Sequence, residues 1–259
     1  MLQLPWVAGR GARGGSFAAG PAAPAADTGA TRADALVHWW KLDEGTGTTF
    51  ADSVGSDHIT TSEGDPAWTS SAIDGNAVEF DGLTDVIYEA DGMTAMPADT
   101  AFTMSCWCYP TASGVDFDSP FGVFENINNG NGVFLTFGNG DHFSFYVNQN
   151  GSNWANTDWT DAQDLNKWYF LAGVFDPTSA SADVKLYWAK VEDGGVTTEV
   201  TEDGNQLFRA GADTPTIGGG YGTAPSATFQ GRVDDCRIYN AALNKTDVDL
   251  IYGGGSGDF

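Results

Sequence analysis

The chain has 259 residues, of which 41% are hydrophobic, and its 9 Trp, 16 Phe and 34 Gly suit one large all-β domain, or two small ones, with many tight turns. Eleven Lys and Arg face 35 Asp and Glu, a formal net charge of -24. Such a surface repels nucleic-acid phosphates and anionic membranes and favours divalent cations, basic partners or a saline medium, and no apolar run approaches the roughly 18 residues of a membrane span, so nucleic-acid binding and membrane insertion are excluded as expectations.

Residues 1–34 differ from the rest. From Ala8 to Ala33 they are nearly all Gly, Ala, Ser, Pro and Thr, with Arg10, Arg13 and Arg32 against Asp27. That composition buries too little apolar surface to offset its ordering entropy, so a flexible basic arm is expected. Leu4 and Trp6 belong to an apolar tip at its start. With Arg10 and Arg13 they are the candidate anchors to a neighbouring subunit, the alternative being a frayed terminus. As a signal peptide the segment reads poorly, because Pro5 interrupts the apolar run and the arginines follow it.

A domain over 35–253 follows, then a loose tail at 254–259. Strand-like runs are expected at 36–42, 77–80, 86–89, 102–109, 121–124, 133–137, 143–147, 167–175, 184–191, 196–201, 216–218 and 229–239, with Gly, Asn and Asp turn residues between them. The pair at 77–80 and 86–89 is separated by the turn dipeptide Asp81-Gly82. In 102–109 the alternation puts Phe102, Met104, Cys106 and Cys108 on one face and Thr103, Ser105, Trp107 and Tyr109 on the other. So many short strands predict a sandwich or barrel. One helix is expected near the C-terminus, with Asn244 as N-cap, Asp247 in the first turn, apolar contacts from Val248, Leu250 and Ile251, and Gly253 as its stop. Cys106, Cys108 and Cys236 read as small buried residues; a bridge from Cys106 or Cys108 to Cys236 is the alternative.

Six blocks then carry a resemblance: HWWKLDEGTG at 38–47, ADSVG at 51–55, NAVEFDG at 76–82, the Trp107-bearing strand ending at Pro110, KWYFLAGVFD at 167–176, and FQGRVDDCRIYN at 229–240 followed by Ala242-Leu243. In this order they resemble the laminin-G-like, concanavalin-A-like jelly-roll domains over roughly residues 35–253. The resemblance implies an all-β fold of two curved antiparallel sheets packed face to face, here with an extended N-terminal arm and one short C-terminal helix. It also implies a structural Ca²⁺ between the N-terminal loop and the late Asp-bearing strand, which on this chain points to Glu44, Asp52, Asp57, Asp234 and Asp235. Calcium takes six to eight oxygen ligands, which these residue types supply. Val54 and Ser56-Asp57 depart from the usual loop, and the alternative is that Asp234 or Asp235 pairs with Arg232 or Arg237.

The same superfold includes glycoside hydrolases, but the strand-borne E-x-D-x-x-E pattern of its β-glucanases is absent, and Asp234 and Asp235, adjacent on a strand, are expected on opposite faces. His38, His58 and His142 are scattered and read as structural. No catalytic residue is assigned. Sugar binding, the usual role of the fold, needs exposed rings and polar side chains. The polar stretch 148–161 reads as a loop offering Asn153, Trp154, Asp158 and Trp159, and 126–131 is a second polar loop. The expected function is a non-enzymatic, surface-displayed structural or adhesion protein: a phage-type virion decoration or fibre component, or something extracellular, anchored through its arm to neighbouring subunits, with a knob that binds surface glycans and can self-associate. The alternative is a secreted bacterial carbohydrate-binding, lectin-like module, with a glycoside hydrolase third.

Overall fold

The computed structural model describes residues 34–93, 96, 100–114, 117–125, 132–138, 140–148, 154–158, 162–179, 183–193, 198–202, 214–220 and 228–253. The candidate anchors Leu4, Trp6, Arg10 and Arg13 therefore lie outside the described residues, as do the loop at 126–131 and the tail.

Fifteen strands are described: β1 (Leu36–Trp40), β2 (Thr61–Glu63), β3 (Ala67–Thr69), β4 (Ala77–Asp81), β5 (Val86–Tyr88), β6 (Phe102–Pro110), β7 (Phe121–Phe124), β8 (Gly132–Gly138), β9 (His142–Asn148), β10 (Trp154–Asp158), β11 (Tyr169–Phe175), β12 (Val184–Lys190), β13 (Thr198–Glu202), β14 (Thr214–Ile217) and β15 (Gln230–Tyr239). One helix, α1 (Lys245–Tyr252), follows. They form two antiparallel sheets. One runs β13-β12-β11-β6-β15-β4-β3, with β1 also paired to β15; the other runs β10-β9-β8-β7-β14-β5-β2. The all-β, two-sheet jelly-roll sandwich with one short helix is thus the observed architecture. The Asp81-Gly82 turn does not close a hairpin, however. β4 and β5 belong to different sheets, so the turn carries the chain across the sandwich.

The core lies between the sheets. Met104, Cys106, Cys108, Leu171 and Val233 from the first meet Ile87, Val123, Leu135, Phe145 and Ile217 from the second, as alternation on a pleated strand requires. The fit is close: a Cβ on Gly173 would come within 2.3 Å of the Phe145 ring, so only glycine lets that ring seat across the gap. All three cysteines are free, buried thiols, and burial holds Cys108 and Cys236 well above the usual thiol range.

The outer face of the eight-stranded sheet is covered as well. Trp107 from β6 and Phe170 from β11 pack beneath α1, with the Trp107 and Tyr252 rings 5.3 Å apart. Trp107 is fully buried, a packing residue as expected. The helix starts at Asn244, whose side chain accepts from the Thr246 and Asp247 amides while the Asp247 side chain accepts from the Asn244 amide; it stops at Gly253 in the left-handed region. Leu250 departs from expectation. It is 48% exposed, because helical spacing places Val248, Ile251 and Tyr252 on the buried stripe and turns position 250 away. Replacing Asn244 by Ala removes the cap; an equilibrium urea melt should show a loss of about 1 kcal/mol, and an unchanged midpoint would mean that the cap does not help hold α1 on the sheet.

Candidate functional site

Two places bring functional side chains together. The first grows from β1 and the loop after it. Asp52 is buried, and its carboxylate organises the turn that follows. Oδ1 accepts the amides of Trp39 (3.0 Å), Val54 (3.1 Å) and Gly55 (2.9 Å), while Oδ2 accepts His38 Nδ1 (2.9 Å) and the Asp57 amide (3.4 Å). The His38 ring stacks on Trp40 at 5.5 Å, and Asp57 Oδ2 stands 3.6 Å from His38 Nδ1. Burial pushes the Asp52 carboxyl up, but the bonds from His38 and the Trp39, Gly55 and Val54 amides outweigh it and hold the group well below the usual carboxylate range.

The expected calcium set does not assemble at one point. Glu44 is an exposed residue whose Oε1 accepts the Ala51 amide. Asp234 Oδ2 accepts the amides of Ile73 (2.8 Å) and Asp74 (3.3 Å). Asp235 takes a two-pronged bond from Arg237 Nε and Nη2, both 2.9 Å, and another from Trp39 Nε1. Asp234 and Asp235 stay neighbours at one place and Asp52 and Asp57 meet at another, where the third member of the group is His38, which sequence reasoning set aside as structural; among the described residues this is the one group of three ligand-type side chains within 4.8 Å. With five protein N–H donors on Asp52, the group does not fit calcium's demand for six to eight oxygens. Asp52 and Asp57 also approach the spacing of a retaining glycosidase pair, yet an acid held so far below its usual range and saturated by donors supplies neither a proton nor a free nucleophile.

Asp234 and Asp235 do not follow the simple alternation expected of them. A β-bulge interrupts β15 between Asp234 and Arg237, with Asp235 at φ 52°. Val233 and Cys236, three apart, both reach the core. Asp234 is turned to the 73–76 loop, whose far side is tied by Asp43 accepting the Asn76 amide at 3.0 Å. The loop packs so tightly that a Cβ on Gly75, itself at φ 53°, would meet Asp43 Oδ1 at 2.1 Å.

The second place is the outer face of the seven-stranded sheet. Cross-strand register puts Tyr146 opposite Phe134 and Phe134 opposite Gly122. Phe124, Phe134 and Tyr146 form a stacked row, each step 5.2 Å, and Phe117 meets Tyr146 edge-on at 5.5 Å. Phe124 and Phe134 are buried, whereas Tyr146 and Phe117 are partly exposed. Phe117 sits at φ 67°, a costly conformation for a bulky residue. Beyond Tyr146 runs β10. It is the expected loop's central part, but it is a strand, with Trp154 opposite Asn148, Asn156 opposite Tyr146 and Asp158 opposite Ser144. Asn153 and Trp159 lie outside the described residues. Composition misses the strand because an edge strand needs only one partner, and β9 supplies its pairing through the sheet, not through a local apolar pattern. Phe117 and Tyr146 were missed as well; the positive-φ Phe has no sequence signal, and Tyr146 was visible only as a member of an alternating strand.

Two antiparallel sheets packed face to face, with an aromatic row across the outer face of one, define a jelly-roll β-sandwich module. The sequence matches the concanavalin A-like lectin/glucanases superfamily over residues 81–249, and the chain belongs to that family. Among solved structures it is similar to domain 4 of AbnA, a GH43 extracellular arabinanase from Geobacillus stearothermophilus, in complex with arabinotriose (TM-score 0.61, 20% identity, 84% of this chain and 98% of that one). It is similar also to the botulinum neurotoxin serotype D binding domain (0.60, 11%, 85% and 52%) and to the binding domain of Paraclostridial Mosquitocidal Protein 1 (0.59, 13%, 85% and 52%). The chain thus spans about half the length of these toxin binding domains. No curated protein matches it by sequence. No helix among the described residues is long and apolar enough to cross a membrane.

The two central aspartates give opposite pH responses. Burial, followed by the Asp235 charge, pushes the Asp234 carboxyl from the ordinary 3.8 up to about 8. The native state therefore keeps a proton that the unfolded chain releases, and stability declines as pH rises from about 4 through 8. Asp52, depressed instead, contributes stability that is present above about 4 and lost in stronger acid. Thermal melts of the wild type should fall between pH 5 and 8, and those of Asp234→Asn should stay flat there while both proteins lose stability below pH 4. A wild-type slope retained in Asp234→Asn would remove Asp234 as its source.

Proposed function

We propose that this chain is a non-catalytic carbohydrate-binding module of extracellular setting, and that its sugar surface is the exposed end of the aromatic row, Phe117 and Tyr146, with β10 alongside. The row is the observation that carries the reading. A sugar ring presents C–H groups to an aromatic face while its hydroxyls need amides, hydroxyls or carboxylates nearby. The partly exposed Tyr146 and Phe117 offer the rings, and the register positions of Trp154, Asn156 and Asp158 offer the residue types that complete them. The similar arabinanase domain, which holds arabinotriose, and the similar toxin binding domains support a binding role for this architecture, and no arrangement of acids described above supports cleavage. The test is a glycan array followed by calorimetry, with arabinotriose included. Tyr146→Ala, Trp154→Ala and Trp159→Ala should each weaken binding about tenfold or more, the loss expected of a stacking ring, with the β-sheet circular dichroism retained. A blank array, or full binding by all three variants, sinks the proposal.

A second reading rests on the contrast between a basic arm and a body that carries the whole negative excess. It displays the same module on a larger particle, such as a virion, attached through residues 1–34. Removing residues 1–33 should leave the melting temperature of the domain unchanged and abolish co-sedimentation with the native particle. An unfolded product, or undiminished co-sedimentation, contradicts the tether.

A further inference from the structure

Away from the aromatic row, a pocket of about 590 Å³ opens between β1, the turn at Gly55–Asp57, the residues leading into β6 and the last residues of β15. The volume lies within the range of small-molecule sites. One wall is apolar, built by Val37, Met93, Met96, Phe102 and Ile238. The methionines supply polarisable, adaptable surface that suits a flexible chain or a ring. The other wall carries His38 and Asp57.

Their chemistry selects the ligand's head group. His38 Nδ1 is already engaged by Asp52 at 2.9 Å, so the polar group this wall offers a ligand is the Asp57 carboxylate. The Asp57 carboxylate is itself partly exposed, at 21%. None of the described residues lining the pocket is Lys or Arg, and the chain's net charge is -24. An anionic head group would meet the Asp57 carboxylate with no lining Lys or Arg to offset it. A protonated amine meets the Asp57 carboxylate, and charge-assisted bonds of this kind are the strong ones.

We propose that this pocket binds a small amphipathic cation, an alkyl or aryl chain bearing a protonated amine, with the chain against the Met93, Met96 and Phe102 wall and the amine at Asp57. Asp52 acts as a positioning residue, holding the His38 ring and the turn that presents Asp57. The site is separate from the proposed sugar surface, so either can fail without the other.

The test uses the full chain and three probes of equal chain length, octylammonium, octanol and octanoate, read by calorimetry and by the fluorescence change of Trp40 beside His38. Octylammonium should bind saturably at one site per chain, octanol about tenfold more weakly or worse, and octanoate not at all. Asp57→Asn should cost about tenfold in octylammonium affinity, and Ala101→Phe, which narrows the pocket, should weaken octylammonium and octanol together. Octanol binding as tightly as octylammonium overturns the proposal, as does octylammonium binding at many sites and unchanged in Asp57→Asn, which is what general attraction to an acidic surface gives. Binding that EDTA abolishes and zinc restores overturns it in favour of a metal ion at His38, Asp52 and Asp57. The probe series on the wild type decides the matter even where a variant does not fold.

Discussion

β15 must pair on both edges at once, and its bulge is how it does so. Along one edge it follows β6, with a break in register between Asp234 and Arg237; along the other it pairs with β4 at Gln230–Val233 and with β1 from Cys236 onward. One strand cannot hold two differently set neighbours in a regular register, so an extra residue is inserted where the partner changes. Asp234 and Asp235 occupy that position. The first ties down the loop that delivers β4; the second binds Arg237 and Trp39 on the side of β1. Trp39 is in turn flanked by Arg237 and Lys41, whose charged groups lie 4.4 Å and 4.2 Å from its ring centroid. The adjacent acids, which the family resemblance pointed to as calcium ligands, are the fitting that joins three strands.

Two aspartates then do the same work under different electrical conditions. Asp52 and Asp234 each accept backbone amides from a loop that must be held still. Asp52 has five donors, His38 among them, so it is satisfied as an anion. Asp234 has two amides, deep burial and another carboxylate for a neighbour, so its neutral form is the better fit. The difference lies in the number of donors per buried charge, which decides whether desolvation or hydrogen bonding wins. The stable pH range of the domain is bounded below by the first and eroded from above by the second.

Much of the scaffold was legible in the sequence because its signals are local. The alternation through Phe102–Pro110, the Asn244 cap and Gly253 stop, and the ordered blocks from 38 to 240 each encode their own geometry. The short strands β2 and β3 and the edge strand β10 were not legible, since three residues, or five without a clear apolar alternation, become a strand only when a partner offers its free edge. The candidate site was harder still. Trp107 and Trp154 look alike as residues, but one is sealed under α1 and the other belongs to an edge strand paired with β9. His38 was read as structural and is so through Asp52, yet its ring also lines a pocket whose apolar wall, apart from the adjacent Val37, comes from β6, β15 and the Met93–Met96 segment, which are far from it in sequence. Five carboxylates chosen by family position scattered to three places because the bulge and the loops claimed them first.

The large negative charge bears on the two proposed surfaces in different ways. A neutral sugar is recognised by ring stacking and directional hydrogen bonds, which barely sense a screened field beyond roughly 10 Å. On that reading the sugar surface owes its selectivity to Tyr146, Phe117 and the β10 residues, and the surrounding carboxylates act only against acidic glycans, by repulsion at the rim. The pocket at His38 and Asp57 is the opposite case. There, on the proposed reading, the charge is close, partly desolvated and unopposed by a lining Lys or Arg, so the same excess of Asp and Glu that is solvated elsewhere becomes a criterion for what enters. Acidity spread over a whole surface carries little information; acidity set at the mouth of an apolar cavity specifies an amine.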